Sequence, residues 1–124
     1  MAKLLIVDDE EDVREFAANF FRKRKIECTT AGSGEEALGI LEKNKVDLIL
    51  LDIKMEGIDG LETLKRIIEK DSGAKVIMVT GRKPEDSNSF ENCRKLGAID
   101  YIHKPLELEE LERIVLSHLP KPKK

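Results

Sequence analysis

Hydrophobic residues in this chain fall into two kinds of pattern. Positions 4–7, 48–51 and 76–79 are continuous aliphatic runs, as expected of strands covered on both faces, since a half-exposed strand would alternate apolar with polar residues. They are predicted to be the central strands of a parallel sheet. Positions 26–30 and 99–103 mix apolar and polar side chains, which suits the two edges of such a sheet. Between these segments the spacing becomes helical. Val13, Phe16, Ala17 and Phe20 mark one stripe, Leu61, Leu64 and Ile68 a second, and Leu108, Leu111 and Val115 a third. A less regular fourth helix carries Phe90, Cys93 and Leu96 and stops at Gly97. Ser33 with Glu36, and Asp59 with Glu62, have capping-box spacing, and Pro84 suits a first helical position. Strands alternating with helices over short connections require right-handed crossovers, which place helices on both faces of the sheet. The predicted class is α/β, a doubly wound (βα)5 domain over residues 1–119. A basic Pro/Lys tail at 120–124 follows, either a solvated end or a clipped linker.

Polar residues interrupt this pattern at particular places. Asp8 and Asp9 follow the first strand, Asp52 the third, Thr80 the fourth and Lys104 the fifth. In an open α/β sheet the ligand crevice lies at the carboxyl ends of the strands, so these residues should converge. Each alone has a plain structural explanation: an aspartate after a strand caps the next helix, a threonine is a loop hydroxyl, a lysine is a surface charge. Together they form a crevice of repelling carboxylates that protons or a cation must relieve. An all-oxygen set with no histidine or cysteine at ligand spacing favours Mg²⁺, which would draw in a phosphate. Lys104 could then neutralise a phosphoryl oxygen and the Thr80 hydroxyl donate to another, the equipment for phosphoryl transfer.

Composition narrows the field further. The 124 residues suit one domain and leave no room for a second of similar size, so a fused output domain is not expected. Only 4% of residues are aromatic and the net charge is -3, which leaves neither a stacking platform nor a basic field for nucleic acid. Arg22, Lys23, Arg24 and Lys25 close a helix, where cations favour the negative end of its dipole. Cys28 and Cys93 make no disulfide framework or metal cluster and read as small buried hydrophobes, while His103 and His118 read as surface positions. No apolar segment suggests a signal peptide or membrane span, so the cytoplasm is the expected compartment. Positions 32–37 fit the dinucleotide fingerprint G-x-G-x-x-A, but they follow an edge strand, whereas the fingerprint belongs after the central first strand.

The strings Leu5-Ile6-Val7-Asp8-Asp9-Glu10, Asp52-Ile53-Lys54-Met55 with Asp59-Gly60 downstream, Val79-Thr80-Gly81, and Gly97-Ala98 leading to Tyr101-Ile102-His103-Lys104-Pro105 closely resemble the receiver domain of two-component response regulators. The resemblance covers essentially the whole chain. It implies the CheY-like, flavodoxin-like fold with strand order 2-1-3-4-5. It implies Asp52 as the nucleophile that accepts a phosphoryl group from a kinase phosphohistidine. Mg²⁺ would be held by Asp9, the Asp52 carboxylate and the Lys54 backbone carbonyl, with Asp8 acting mostly through water. Lys104 would pair with the phosphoryl group, Thr80 would move toward it, and Tyr101 would swing inward, carrying the change to the surface of the fourth helix and fifth strand. The Lys104-Pro105 peptide would be cis. The implied partners are a sensor histidine kinase or phosphotransfer protein and a downstream output protein. DNA and membrane are not expected, and the chain should be a monomer or a weak phosphorylation-dependent dimer.

Two features depart from the family pattern. Glu56 stands where proline usually follows methionine, and the stretch from Thr80 to Gly97 is longer than in compact members. The resemblance puts Lys54 and Arg82 at the mouth of the site; as long cations they could attract a phosphodonor, extend idly into solvent, or lie across an acyl phosphate and shield it from water, and shielding is the expectation. A small Mg²⁺-dependent phosphohydrolase would need a specificity cap or general acid, and neither is visible. A module signalling without phosphate would not need the intact set Asp8, Asp9, Asp52, Thr80 and Lys104. The reading is a phosphoacceptor signalling protein whose catalysis is limited to its own phosphorylation and dephosphorylation.

Overall fold

The elements alternate along the chain as β1 (Lys3–Val7), α1 (Glu11–Arg22), β2 (Glu27–Ala31), α2 (Gly34–Lys43), β3 (Leu48–Asp52), α3 (Gly60–Lys70), β4 (Val76–Thr80), α4 (Ser87–Leu96), β5 (Asp100–His103) and α5 (Leu108–His118). The structure is a computed structural model and describes residues 2–53, 60–80 and 87–119. Its five strands form one parallel sheet in the order β2-β1-β3-β4-β5, the order the family resemblance implies. The continuous aliphatic runs became the inner strands: β3 and β4 are buried at every position and β1 at all but Lys3. The mixed segments became β2 and β5 at the edges.

Successive strand residues point to opposite faces, so the inner strands feed two cores. Leu4, Ile6, Leu48, Leu50, Ile77 and Val79 pack with Phe21 of α1 and with Leu111 and Val115 of α5. Leu5, Val7, Ile49, Leu51, Val76 and Met78 pack on the other face with Ala37 of α2, Leu64 and Ile67 of α3 and Cys93 of α4. Each large aliphatic or aromatic side chain fully buried here stabilises the fold by about 1.5–3 kcal/mol.

Helix faces depart from their predicted stripes. In α1 the buried residues are Ala17, Ala18 and Phe21, while Phe16 is 47% exposed. Two adjacent alanines let that side of α1 approach the sheet closely, and the helix turns to bury Phe21 in place of Phe16. Phe20 lies at the margin, edge-on to Phe21 and beneath the Arg24 guanidinium at 3.8 Å. In α5, Leu108 is exposed and Ile114 is buried alongside Leu111 and Val115.

The Ser33 cap forms, with its hydroxyl accepting the Glu36 N–H at 3.1 Å, and the Glu36 carboxylate accepts from the Gly32 N–H at 2.8 Å. The glycine string is thus a capped helix start after edge strand β2. The basic run is more than a solvated helix end, because Arg22 donates to the Cys28 carbonyl at 3.0 Å and Arg24 meets Glu112 of α5 at 2.7 Å. Gly97, at φ 117°, closes α4 as expected. The Lys104-Pro105 peptide is cis. Among the described residues no helix is long and apolar enough to cross a membrane. Lys54, Glu56, Asp59, Arg82, Pro84 and the 120–124 tail lie outside the described residues, as does the part of the lengthened stretch at 81–86.

Candidate functional site

Strand register brings the strand-end residues together. Val7 pairs with Leu51, Asp52 with Val79, and Thr80 with His103, so Asp8, Asp52, Thr80 and Lys104 line the carboxyl ends of four adjacent strands. Main-chain bonds continue the ladder beyond the strands: the Asp8 N–H donates to Ala31 O at 3.1 Å, and the Lys104 N–H to Thr80 O at 2.7 Å. β1 leads to β2 on one side, whereas β3 leads to β4 on the other. Asp8 and Asp52 therefore flank the switch point at which open α/β sheets form their crevice.

Lys104 joins the acids. Its Nζ lies 3.0 Å from Asp8 Oδ2, 3.0 Å from Glu10 Oε1 and 3.2 Å from Asp52 Oδ2. Asp8 and Asp52 are only 3% and 4% exposed, and two such buried carboxylates need a counter-charge. Burial alone pushes the Lys104 ammonium toward deprotonation, but hydrogen bonds to Asp8 and Glu10 and the Asp52 charge outweigh it, holding its pKa above the usual lysine value. Lys104 is therefore fully charged at neutral pH.

The surrounding backbone holds Asp8 and Asp52 in place. Asp8 Oδ1 accepts the Glu10 N–H at 2.9 Å, and the Asp8 carbonyl accepts from Arg14 Nη1 at 2.7 Å. Gly60, the first residue of α3, donates its N–H to Ile53 O at 2.8 Å, and a Cβ there would run into the backbone of Asp52 and Ile53. Only glycine permits that approach.

Asp8, Asp9 and Glu10 each offer one carboxylate oxygen, all within 4.8 Å of one another. Asp9 and Glu10 are exposed and Asp8 is buried. This hard, all-oxygen donor set, with no sulfur or imidazole in it, fits Mg²⁺ with part of its water shell retained. Asp52 reaches the group through the shared Lys104 contact. The Lys54 carbonyl lies outside the described residues.

Thr80 is buried at the end of β4. Tyr101, half-buried on β5, pairs in register with Met78, and its ring meets His103 edge-on at 5.0 Å. Glu10 was missed in the sequence reading as a partner of Lys104. Its signal was a poor cap: it occupies the N-cap of α1 and makes no side-chain cap bond, where Ser, Thr, Asp or Asn would be preferred. His118 is also more than a surface residue, since its Nε2 lies 3.0 Å from Asp100 Oδ2. Cys28 and Cys93 are free and sit one in each core, and burial pushes both thiols up to about 11, moderated at Cys28 by Arg22.

The family model described as the response regulator receiver domain matches residues 4–116. Sporulation initiation phosphotransferase F of Bacillus subtilis strain 168 is 36% identical over 118 residues, which cover 95% of this chain and 94% of that protein. Heme response regulator HssR of Staphylococcus haemolyticus is 37% identical over 111 residues, 90% of this chain but 48% of that protein, so the chain spans about half the length of this relative. The crystal structure of response regulator protein TrrA from Thermotoga maritima, in complex with Mg(2+)-BeF, matches with a TM-score of 0.81 at 34% identity, covering 94% of this chain and 98% of that one. With the sheet order and the strand-end cluster both in agreement with that match, the chain belongs to the receiver domains of two-component response regulators.

Proposed function

We propose that Asp52 accepts a phosphoryl group from the phosphohistidine of a sensor histidine kinase or phosphotransfer protein, and that the modified domain controls a downstream output protein. The observation that carries this reading is the placement of Lys104 Nζ 3.2 Å from Asp52 Oδ2 at the switch point, beside an all-oxygen acidic cluster. An Asp52 oxygen attacks phosphorus, the P–N bond breaks, and the imidazole nitrogen keeps the electron pair, leaving an acyl phosphate on Asp52. Asp8, Asp9, Asp52 and the Lys54 carbonyl would hold Mg²⁺, which supplies positive charge to the phosphoryl oxygens. Lys104 pairs with one of those oxygens and the Thr80 hydroxyl donates to another. Movement of Thr80 then gives Tyr101 room to turn inward, which alters the surface of α4 and β5.

In this reading the domain modifies only itself and turns over no external substrate. It works in the cytoplasm as a monomer or a weak phosphorylation-dependent dimer, without direct contact with DNA or membrane. The Mg(2+)-BeF complex of TrrA supports the Mg²⁺ assignment. Incubation with Mg²⁺ and acetyl phosphate should add one phosphoryl mass that hydroxylamine removes, and Asp52→Asn should abolish it. Retention of the modification in Asp52→Asn would move the acceptor elsewhere.

A further inference from the structure

We propose that Glu10 is a positioning residue that holds Lys104 in the resting protein and must release it before Lys104 can serve an incoming phosphoryl group. This rests on the reading of Asp52 as the acceptor. An ammonium has three N–H donors, and Lys104 Nζ faces three carboxylates, those of Asp8, Glu10 and Asp52, at 3.0, 3.0 and 3.2 Å. It donates hydrogen bonds to Glu10 and Asp52 and forms an ion pair with Asp8, so three carboxylates compete for one ammonium. While a phosphodonor approaches, Asp52 is still a carboxylate and keeps its hydrogen bond, so a phosphoryl oxygen must compete for Lys104 with the Asp8 and Glu10 carboxylates.

The two differ in their freedom to do so. Asp8 is tied at its N–H to Ala31, at its carbonyl to Arg14 and at Oδ1 to the Glu10 N–H. The Glu10 side chain is 62% exposed, and its contact with Lys104 spans 94 positions of sequence. It makes no cap bond although it stands at the N-cap of α1. Its carboxylate can move into water at small cost, because an ion pair with one solvated partner contributes little. Glu10 is thus the partner that yields, and its charge slows phosphoryl capture by competing for Lys104.

The test is the rate of phosphorylation by acetyl phosphate at saturating Mg²⁺, so that any part played by Glu10 at the cation does not limit the rate. An Asp52 oxygen attacks phosphorus, the bond between phosphorus and the acetyl oxygen breaks, and acetate leaves with the electron pair. Glu10→Gln removes the charge. Glu10→Asp keeps the charge but is one methylene shorter, losing the 3.0 Å contact and gaining a good N-cap side chain. Both variants should be phosphorylated roughly two- to fivefold faster than the parent. A merely structural role would instead lower the maximal rate. If Glu10→Asp matches the parent while Glu10→Gln is faster, the effect is diffuse charge and the competition is overturned. Slower or unchanged rates in both variants overturn it as well. Failure of the parent itself to label at Asp52 would refute the acceptor reading on which the inference stands, a result distinct from either of these.

Discussion

Lys70 and Lys104 stand at opposite ends of the same sheet, and each meets a carboxylate at about hydrogen-bonding distance. Lys70 reaches Glu42 at 3.1 Å with the two side chains 58% and 60% exposed. Lys104 reaches Asp8 at 3.0 Å with exposures of 17% and 4%. The atoms and separations are nearly the same, and the surroundings differ. In water both Lys70 and Glu42 are well solvated when apart, so their contact adds a fraction of a kcal/mol. At the carboxyl edge Asp8 and Asp52 are almost fully buried, where losing a shared ammonium costs far more than in water. At one end of the sheet the charges act nearly independently, and at the other they depend on one another. On the proposed reading, that dependence is what would let a phosphoryl group on a single oxygen redirect the rest.

Replacing each lysine separates the two situations. Lys104→Ala should lower the stability of the metal-free protein by about 2–3 kcal/mol, because it removes the ammonium that Asp8 and Asp52 share. Added Mg²⁺ should restore part of that loss. Urea unfolding with EDTA and with excess Mg²⁺ measures both. A loss below about 0.5 kcal/mol without metal would mean the buried acids are relieved in some other way.

The pH dependence of that loss sharpens the contrast. Lys104 has a raised pKa in the folded state, so its stabilisation is fully present below the ordinary lysine value of 10.5 and disappears only as pH rises through the higher folded value. The gap between the parent and Lys104→Ala should therefore stay constant from about pH 8 to about pH 10 and narrow above that. The buried thiols of Cys28 and Cys93, both pushed up to about 11 from 9.0, ionise more readily on unfolding. They erode both proteins alike above about pH 9 and cancel in the difference. A gap that closes well below pH 10 would show that Lys104 is not held charged by its neighbours.

Lys70→Ala gives the smallest effect. Unfolding in urea should shift by less than about 0.5 kcal/mol, and moderate salt should abolish the shift. A loss as large as that of Lys104→Ala would erase the distinction between the two ends.

The strand-end acids were legible from sequence for a simple reason. A carboxylate directly after an aliphatic run is costly in the middle of a strand buried on both faces, so Asp8 and Asp52 were expected at strand ends, Asp52 being the last residue of β3, and parallel strands put those ends on one edge. Glu10 was not legible in the same way. Its neighbours suggested an N-cap, and only the return of the chain at β5 brings Lys104 within 3.0 Å of it.

By itself, then, the sequence determined the five strands, their inner or edge placement and the edge on which the polar residues gather, because each follows from local spacing and the short reach of the connections. The tertiary structure decided which side of α1 faces the sheet, burying Ala18 and Phe21 and leaving Phe16 outside. It also decided that His118 meets Asp100 and that Lys104 is shared by three acids. These contacts join segments far apart in the chain, and their geometry depends on crossover, register and close packing, none of which the local pattern of apolar and polar residues encodes.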